Sequence, residues 1–496
     1  MEHSKQPPYV QACEVDDEPT PANLPPYDKA TSTRLLCLVG VFFSYVLALI
    51  MIAGAVVVIP SSALEENTIG GFRQLPLSSE AIKAVPLLFN ILITLCTESL
   101  SYVHAISLRW ALYHEGRLHF NSNLRLFTNA KSSAANTRFA NVAAAICLIV
   151  SYTGASQTFT NLRDSSLYVN GTALLMLGIG LLVLSIISTI SFCHNRARIL
   201  SWSPNPINTA LACAQSGLLV HRPGRAMMPV QATNSPAQPT APSSRQKPMN
   251  SAYQTANHVV RFLFFMFLFC FALGVILVVV DYTTNRLPGL SFFPNGGGLQ
   301  TQVLWYWGLH APGPLQLFVV MMFGSMMQAF IVMVLHCAEL LINVWRDESA
   351  WRNAYQAKGA AIKIGALQSA TSSIPWFLLF IFKPVAQWIF GSVAIVIQFP
   401  AIMIEFAPLP FLVLSAMALV LAIFGRAIAM KHHKGPQPAT YGHLQTLVDL
   451  IDDWSMDEDG RLWWGSKGND NNQIGSAGTC DRKDGVGCIN IGQLYS

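Results

Sequence analysis

Two glutamates and two histidines stand inside otherwise apolar runs: Glu98 and His104 in Val85–Leu108, His336 and Glu339 in Leu315–Ile342. An ionisable group in such a run is costly in hydrocarbon and usually faces a bundle interior or water. At helical spacing Asn90, Thr94, Thr97, Glu98, Ser101 and His104 share an arc of about 120°, and Ser325, Gln328, His336, Glu339 and Asn343 share about 80°. Such stripes could line a path for an ion or proton. They can equally be glue between helices, worth about 0.6 kcal/mol per hydrogen bond, with Glu98 paired to Tyr102 or Arg109 on its own helix and Glu339 close to the boundary marked by Arg346. Packing is the plainer expectation for these four residues, a transport path the sharper one, and catalysis the third.

Signatures of other chemistry are poor. The sequence has no HExxH, GxSxG, P-loop or Gly-rich dinucleotide motif, so no cofactor and no metal are expected. Cys480 and Cys488 are too far apart for a zinc-binding CxxC pair and have no second pair beside them. Asp457, Asp459 and Gly460 mimic the middle of an EF-hand loop, but Ser455 and Ser466 occupy its first and twelfth positions, where a bidentate Glu is needed last. Asn170 opens the single glycosylation sequon, Asn170-Gly171-Thr172. It is a glycosylation candidate, set almost against the following apolar run.

The elements that must carry these residues follow from composition. Of 496 residues, 52% are hydrophobic and 11% charged, against roughly 25% charged in an ordinary soluble domain. Too few ions remain to coat a globule, and the natural solvent is lipid. Crossing a hydrocarbon core takes roughly 20 apolar residues in helix. The clearest runs are Leu35–Ile59, Ala140–Thr158, Ala173–Cys193, Phe262–Val280 and Phe411–Ile428. Val85–Leu108, Leu315–Ile342 and Pro375–Met403 are more polar, the last interrupted by Lys383-Pro384. The expected fold is all-α, a polytopic transmembrane helix bundle of about eight spans.

Orientation follows from the rule that cytosolic segments hold most Lys and Arg. With the N-terminus inside, 26 of the 31 fall on the cytosolic side, Arg73, Lys83, Arg163 and Arg286 on the other, and Lys383 within a span. None of the ten cysteines falls in an exterior loop, and no disulfide framework is expected. Cys193 could be palmitoylated, although a small residue ending a helix is the plainer reading. The first 33 residues are polar, so the first span is expected to be the insertion signal.

Overlaying the halves exposes a repeat. Cys96, Glu98, Leu100 and Trp110 match Cys337, Glu339, Leu341 and Trp351, and Pro204-Asn205-Pro206 matches Pro436-Gln437-Pro438. This predicts two tandem parallel four-helix repeats, residues 34–204 and 259–434, a plan some transporters share. The flanks are expected as a disordered cytosolic N-terminal tail (1–33), a cytosolic Pro/Ser-rich linker (205–258) and a cytosolic C-terminal tail (435–496) with one amphipathic helix. Met228–Tyr253 has almost no large apolar residue and by composition cannot order itself. Pro7-Pro8-Tyr9 and Pro25-Pro26-Tyr27 lack the spacing of WW-domain ligands and read as flexible tail. In the C-terminal tail Leu444, Leu447, Val448 and Ile451 recur at helical spacing, and docking on the protein's own cytosolic surface is favoured over lipid because of the acidic residues from Asp449 to Asp459.

Three stretches also resemble uncharacterised fungal multi-pass integral membrane proteins: TESLSYVHAISLRWALYHEGRLHFNSNLR from Thr97, SWSPNPINTALACAQSGLLVHRPGR from Ser201, and HLQTLVDLIDDW from His443. The resemblance implies a fungal source and a membrane setting, and transfers no activity or site. The expected role is that of a non-enzymatic organiser or partner-binding membrane protein. The alternatives are a secondary transporter or channel using the acidic stripes, and a membrane-embedded enzyme. Expected partners are the lipid bilayer and cytosolic proteins reached through tails and linker, not nucleic acid. Plasma membrane is favoured over vacuole or other endomembrane.

Overall fold

The computed structural model describes residues 24–61, 71–161, 167–285, 302–303, 313–365, 368–369, 373–398, 402–469 and 474–496. Pro7-Pro8-Tyr9, Cys13, Arg163 and Arg286 lie outside them. Among the described residues eight helices are long and apolar enough to cross a membrane. They are α1 (Thr31–Ser61), α2 (Ser79–His114), α3 (Arg138–Gln157), α4 (Gly171–Asn195), α7 (Gln254–Asn285), α8 (Gly313–Arg352), α9 (Ile374–Val393) and α10 (Pro408–Met430). Shorter helices are α5 (Pro206–Gln215), α6 (Met249–Ala252) and α11 (Leu444–Leu450). The protein is mostly helical and integral to a membrane.

Side chains close the ends of several helices. Thr137 accepts from Ala140 N at the start of α3, and Asn170 from Ala173 N at the start of α4. Each satisfies an amide that the first turn would otherwise leave without a partner. The 40 residues of α8 would span about 60 Å at 1.5 Å per residue. That is twice a hydrocarbon core of roughly 30 Å, so the helix carries its last turns clear of the membrane.

Within the first half α1 packs along α4, and within the second α7 packs along α10. The halves meet through α3 against α8 and α9 against α2, with α3 and α9 also in contact. Gly391 of α9 makes one such approach possible: a Cβ there would stand 2.6 Å from the Ser156 carbonyl oxygen. Each half also carries a small antiparallel sheet on the face where α1 and α7 end. Strands β1 (Phe72–Leu75), β2 (Phe159–Asn161) and β3 (Leu167–Asn170) are ordered β1-β3-β2, and β4 (Gln302–Val303), β6 (Ala394–Gln398) and β7 (Ile402–Phe406) are ordered β4-β7-β6.

These sheets correct two expectations. The bundle is not purely helical, and the run expected to span Pro375–Met403 leaves helix at Val393, after which Ala394 pairs with Phe406 in a hairpin. Ile395, Val396 and Ile397 are β-branched, which favours a pleated strand over helix.

On the opposite face, segments read as tail and linker build a folded cap. Strands β8 (Arg461–Asn469) and β9 (Gly475–Cys480) form a hairpin, and β5 (Ala360–Ala361) pairs with β8. α11 lies on α5, held by an Arg222–Asp449 ion pair and by His221 Nδ1 to the Val448 carbonyl, 3.0 Å. The 205–258 stretch is therefore no free linker. Val230 N donates to Ala439 O at 2.9 Å, Thr240 and Tyr495 bridge antiparallel, and Met249 is fully buried. Residues from Leu24 onward are likewise docked, not disordered: Asn208 Oδ1 accepts from Asp28 N, and Tyr27 packs against the core. Asp457 and Gly460 close a tight turn leading into β8, with Asp457 Oδ1 accepting from Arg461 N, so the EF-hand-like stretch is a turn at the start of that strand. Cys480 is buried and disulfide-bonded, against the expectation of no disulfide, whereas Cys193 and Cys488 are exposed and free.

Candidate functional site

Polar stripes on α2 and α8 fall on buried faces, but most of their members bond locally. Thr94 Oγ1 donates to Asn90 O and Ser325 Oγ to Met321 O, each one turn back on its own helix. Others reach one neighbour. Thr97 Oγ1 lies 2.8 Å from Tyr152 OH on α3, and the Gln328 amide bonds to Gln387 on α9. These contacts are interhelical glue.

The two glutamates behave differently. Lys383 extends from α9 between α2 and α8, its Nζ 2.5 Å from Glu98 Oε1 and 3.0 Å from Glu339 Oε2. Its side chain is 8% exposed, which leaves the ammonium little besides these carboxylates to replace its hydration. Neither same-helix partner considered for Glu98 is used by it. Tyr102 OH donates to the Trp202 carbonyl, and Arg109 donates to the carbonyls of Asn121 and Ser203. Those acceptors sit where chain enters the cap, so Tyr102 and Arg109 fasten the cap to α2.

Among the described residues neither histidine hydrogen-bonds to Glu98 or Glu339. His104 is buried, and its Nε2 has no hydrogen-bond partner. His336 Nε2 accepts from Leu126 N at 3.4 Å. Asn170 is 1% exposed, caps α4 and turns its amide nitrogen toward Met321 Sδ, 3.9 Å away. A glycan on that nitrogen would require this burial to be undone.

Beside the ion cluster lies a cavity of about 450 Å³ between α1, α2, α8 and α9. Glu98, Glu339 and His336 line it together with Arg109, Arg125 and Arg346. Arg125, in the chain between α2 and α3, is 8% exposed. Burial draws its guanidinium below the ordinary arginine value, and Glu339 and Glu98 oppose that shift by stabilising the charge. Sequence inspection singled out neither Arg125 nor the role of Lys383. Lys383 carried one usable signal, a cation inside an apolar run; Arg125 sits in a polar loop with nothing to distinguish it.

Chemically, the cluster sets two carboxylates against the Lys383 ammonium, with the Arg125 guanidinium as the second cation, next to space large enough for a small organic solute. A bound ion or a protonation change at either glutamate would alter that balance at the contact between the two halves. Ser122, which also lines the cavity, donates its hydroxyl to the buried Asp347 carboxylate at 2.7 Å. No protein-family model, curated protein or solved structure matches the chain.

Proposed function

We propose that this protein is a secondary transporter or channel for an ion or small solute, with its site at the Lys383 cluster and adjoining cavity. The observation that carries the reading is the convergence of Glu98 and Glu339, from the two halves, on one buried ammonium. Intramembrane ionisable groups that pair with one another mark substrate and ion pathways. Transport is tested by proton and ion flux into proteoliposomes, comparing wild type with Glu98→Gln, Glu339→Gln, Lys383→Met. The triple variant is preferred because removing the carboxylates alone strands Lys383. Flux lost in a variant that keeps its thermal midpoint supports the reading, and equal flux in both overturns the site.

We read the halves as tandem parallel copies of one four-helix unit. The supports are the matched sheet orders β1-β3-β2 and β4-β7-β6 and the matched indoles: Trp110 Nε1 donates to Ser201 O and Trp351 Nε1 to Pro438 O. We assign the cap to the cytosol because the segments expected to be cytosolic hold 26 of the 31 Lys and Arg. The disulfide at Cys480 argues for an oxidising compartment. We give the charge distribution the greater weight, since it rests on many residues and five separate segments. A plasma-membrane location in a fungal cell completes the proposal.

The organiser reading keeps one observation in its favour, the exposed Leu218, Val220, Ile491 and Leu494 on the cap. Substituting all four by Ser and comparing co-purified proteins tests it; an unchanged set removes the support.

A further inference from the structure

The cavity at the ion cluster is chemically two-sided. Toward the outside of the bundle its walls are Leu36, Leu95, Trp376, Phe377 and Phe380, of which Leu36, Leu95 and Phe377 are also exposed on the outer face. Those side chains meet acyl chains in a bilayer, so the cavity's apolar wall is continuous with the lipid-facing surface between α1, α2 and α9. Toward the interior and the cap the lining becomes cationic, with Arg109, Arg125 and Arg346.

The cations are unequally satisfied. Arg109 spends Nε and Nη1 on backbone carbonyls. Arg125, more than nine-tenths buried, makes no hydrogen bond among the described residues, and neither does the half-buried Arg346. A buried guanidinium without hydrogen-bonded partners is costly. Glu98 and Glu339 stabilise the Arg125 charge through space, but their hydrogen bonds go to Lys383 and leave the guanidinium N–H groups without acceptors among the described residues. Asn343 adds a buried Oδ1 with no donor, which suits a hydroxyl next to an anionic group.

We propose that this cavity binds an amphiphile with an anionic phosphate headgroup, which enters sideways from the leaflet on the cap side. Arg125 and Arg346 take the phosphate, Asn343 accepts from a headgroup hydroxyl, and the chain lies along Leu95, Trp376 and Phe377. Guanidinium forks match phosphate oxygens two at a time, and basic pockets between spans on the cytosolic side suit acidic lipid headgroups. The proposal goes beyond the transport reading and does not depend on it: binding without flux leaves it standing.

Trp376 is the reporter. The full-length protein in a neutral detergent is titrated with dibrominated phosphatidate or dibrominated phosphatidylcholine, and bromine quenching of indole fluorescence is followed in wild type and Trp376→Phe. The expected result is quenching assigned to Trp376 by its loss in Trp376→Phe, reached at about tenfold lower phosphatidate than phosphatidylcholine. Arg125→Gln with Arg346→Gln removes that preference, while Arg125→Lys with Arg346→Lys retains part of it, which separates lost charge from lost fold. Equal quenching by both lipids, or a preference unchanged in the Gln variant, overturns the proposal. Inorganic phosphate is added in competition: failure to displace phosphatidate supports the amphiphile, and displacement at a few millimolar assigns the cavity to a free anion and overturns it.

Discussion

Lys383 Nζ lies 2.5 Å from Glu98 Oε1, across 285 residues of sequence, and the same ammonium is shared with Glu339 of α8. The contact ties α2 of the first half to α8 and α9 of the second at a depth where none of the three charges is well hydrated. Its value lies less in net attraction than in the cost of breaking it.

Lys383→Met leaves two carboxylates facing each other without their cation. Removing one partner of a buried ion pair typically costs about 3–5 kcal/mol, whereas replacing the whole set by apolar or neutral groups is often near neutral. The expected outcome is a large fall in the thermal midpoint in detergent for Lys383→Met and substantial recovery in the Glu98→Gln, Glu339→Gln, Lys383→Met triple variant. No recovery would mean that packing around α9, not charge, sets the loss.

The cap should loosen in mild acid. Burial, aided by the charges of His119 and Arg222, pulls His443 down from 6.5 to about 4. Burial pulls His433 down to about 4 as well, with Glu348 opposing. Both are held neutral when folded and bind protons more readily when unfolded. Their contribution is complete above about pH 6.5 and is lost as pH falls toward 4. At His443 the reason is local: Nδ1 accepts from Thr446 N to cap α11, and a protonated ring cannot accept. Cap unfolding followed by tryptophan fluorescence should show stability falling through this window, with a shallower fall in His443→Asn, which keeps a capping oxygen.

Trp110 and Trp351 should respond alike. Each is fully buried with its indole nitrogen bonded to a backbone carbonyl. Trp→Phe at either position removes that bond and leaves a void, a loss of roughly 1–3 kcal/mol each. Chemical denaturation of the two variants should give similar losses if the halves are copies; a several-fold disparity would argue that the indoles match in sequence only.

Thiol labelling decides the compartment. Cys193 and Cys488 are free and exposed, and both lie on the cap side. A membrane-impermeant maleimide applied to intact cells should label neither, and should label both after permeabilisation; Cys480 should react only after reduction and unfolding. Labelling of Cys488 on intact cells would invert the assigned topology.

What was legible in sequence was whatever depends on short-range pattern. Spacing by 3.6 placed Glu98 and Glu339 on buried helix faces, and their matching sequence surroundings in the two halves marked them as a pair. Lys383 was visible only as a blemish in an apolar run, because its partners lie on other helices and no local pattern encodes that distance. Arg125 left no trace at all. Ala394–Gln398 passed for part of the span read as Pro375–Met403 since strand and helix are equally apolar there, and only the β-branched cluster argued otherwise. Composition misjudged Met228–Tyr253 for a different reason. That stretch buries little by itself, and its order comes from carbonyls and amides supplied by residues such as Ala439 and Tyr495.

The cap's construction has a consequence for biogenesis. Its pieces come from before α1, between α4 and α7, between α8 and α9, and after α10, so no ribosome-bound intermediate possesses all of them until α10 has emerged. Val230, Thr240 and Gln246 wait for Ala439, Tyr495 and His433 to supply their backbone partners. Closure of the cap is thus a built-in receipt for correct insertion of all eight helices. A chain with one helix left outside the bilayer would strand part of the cap on the wrong side and expose unpaired backbone to quality control.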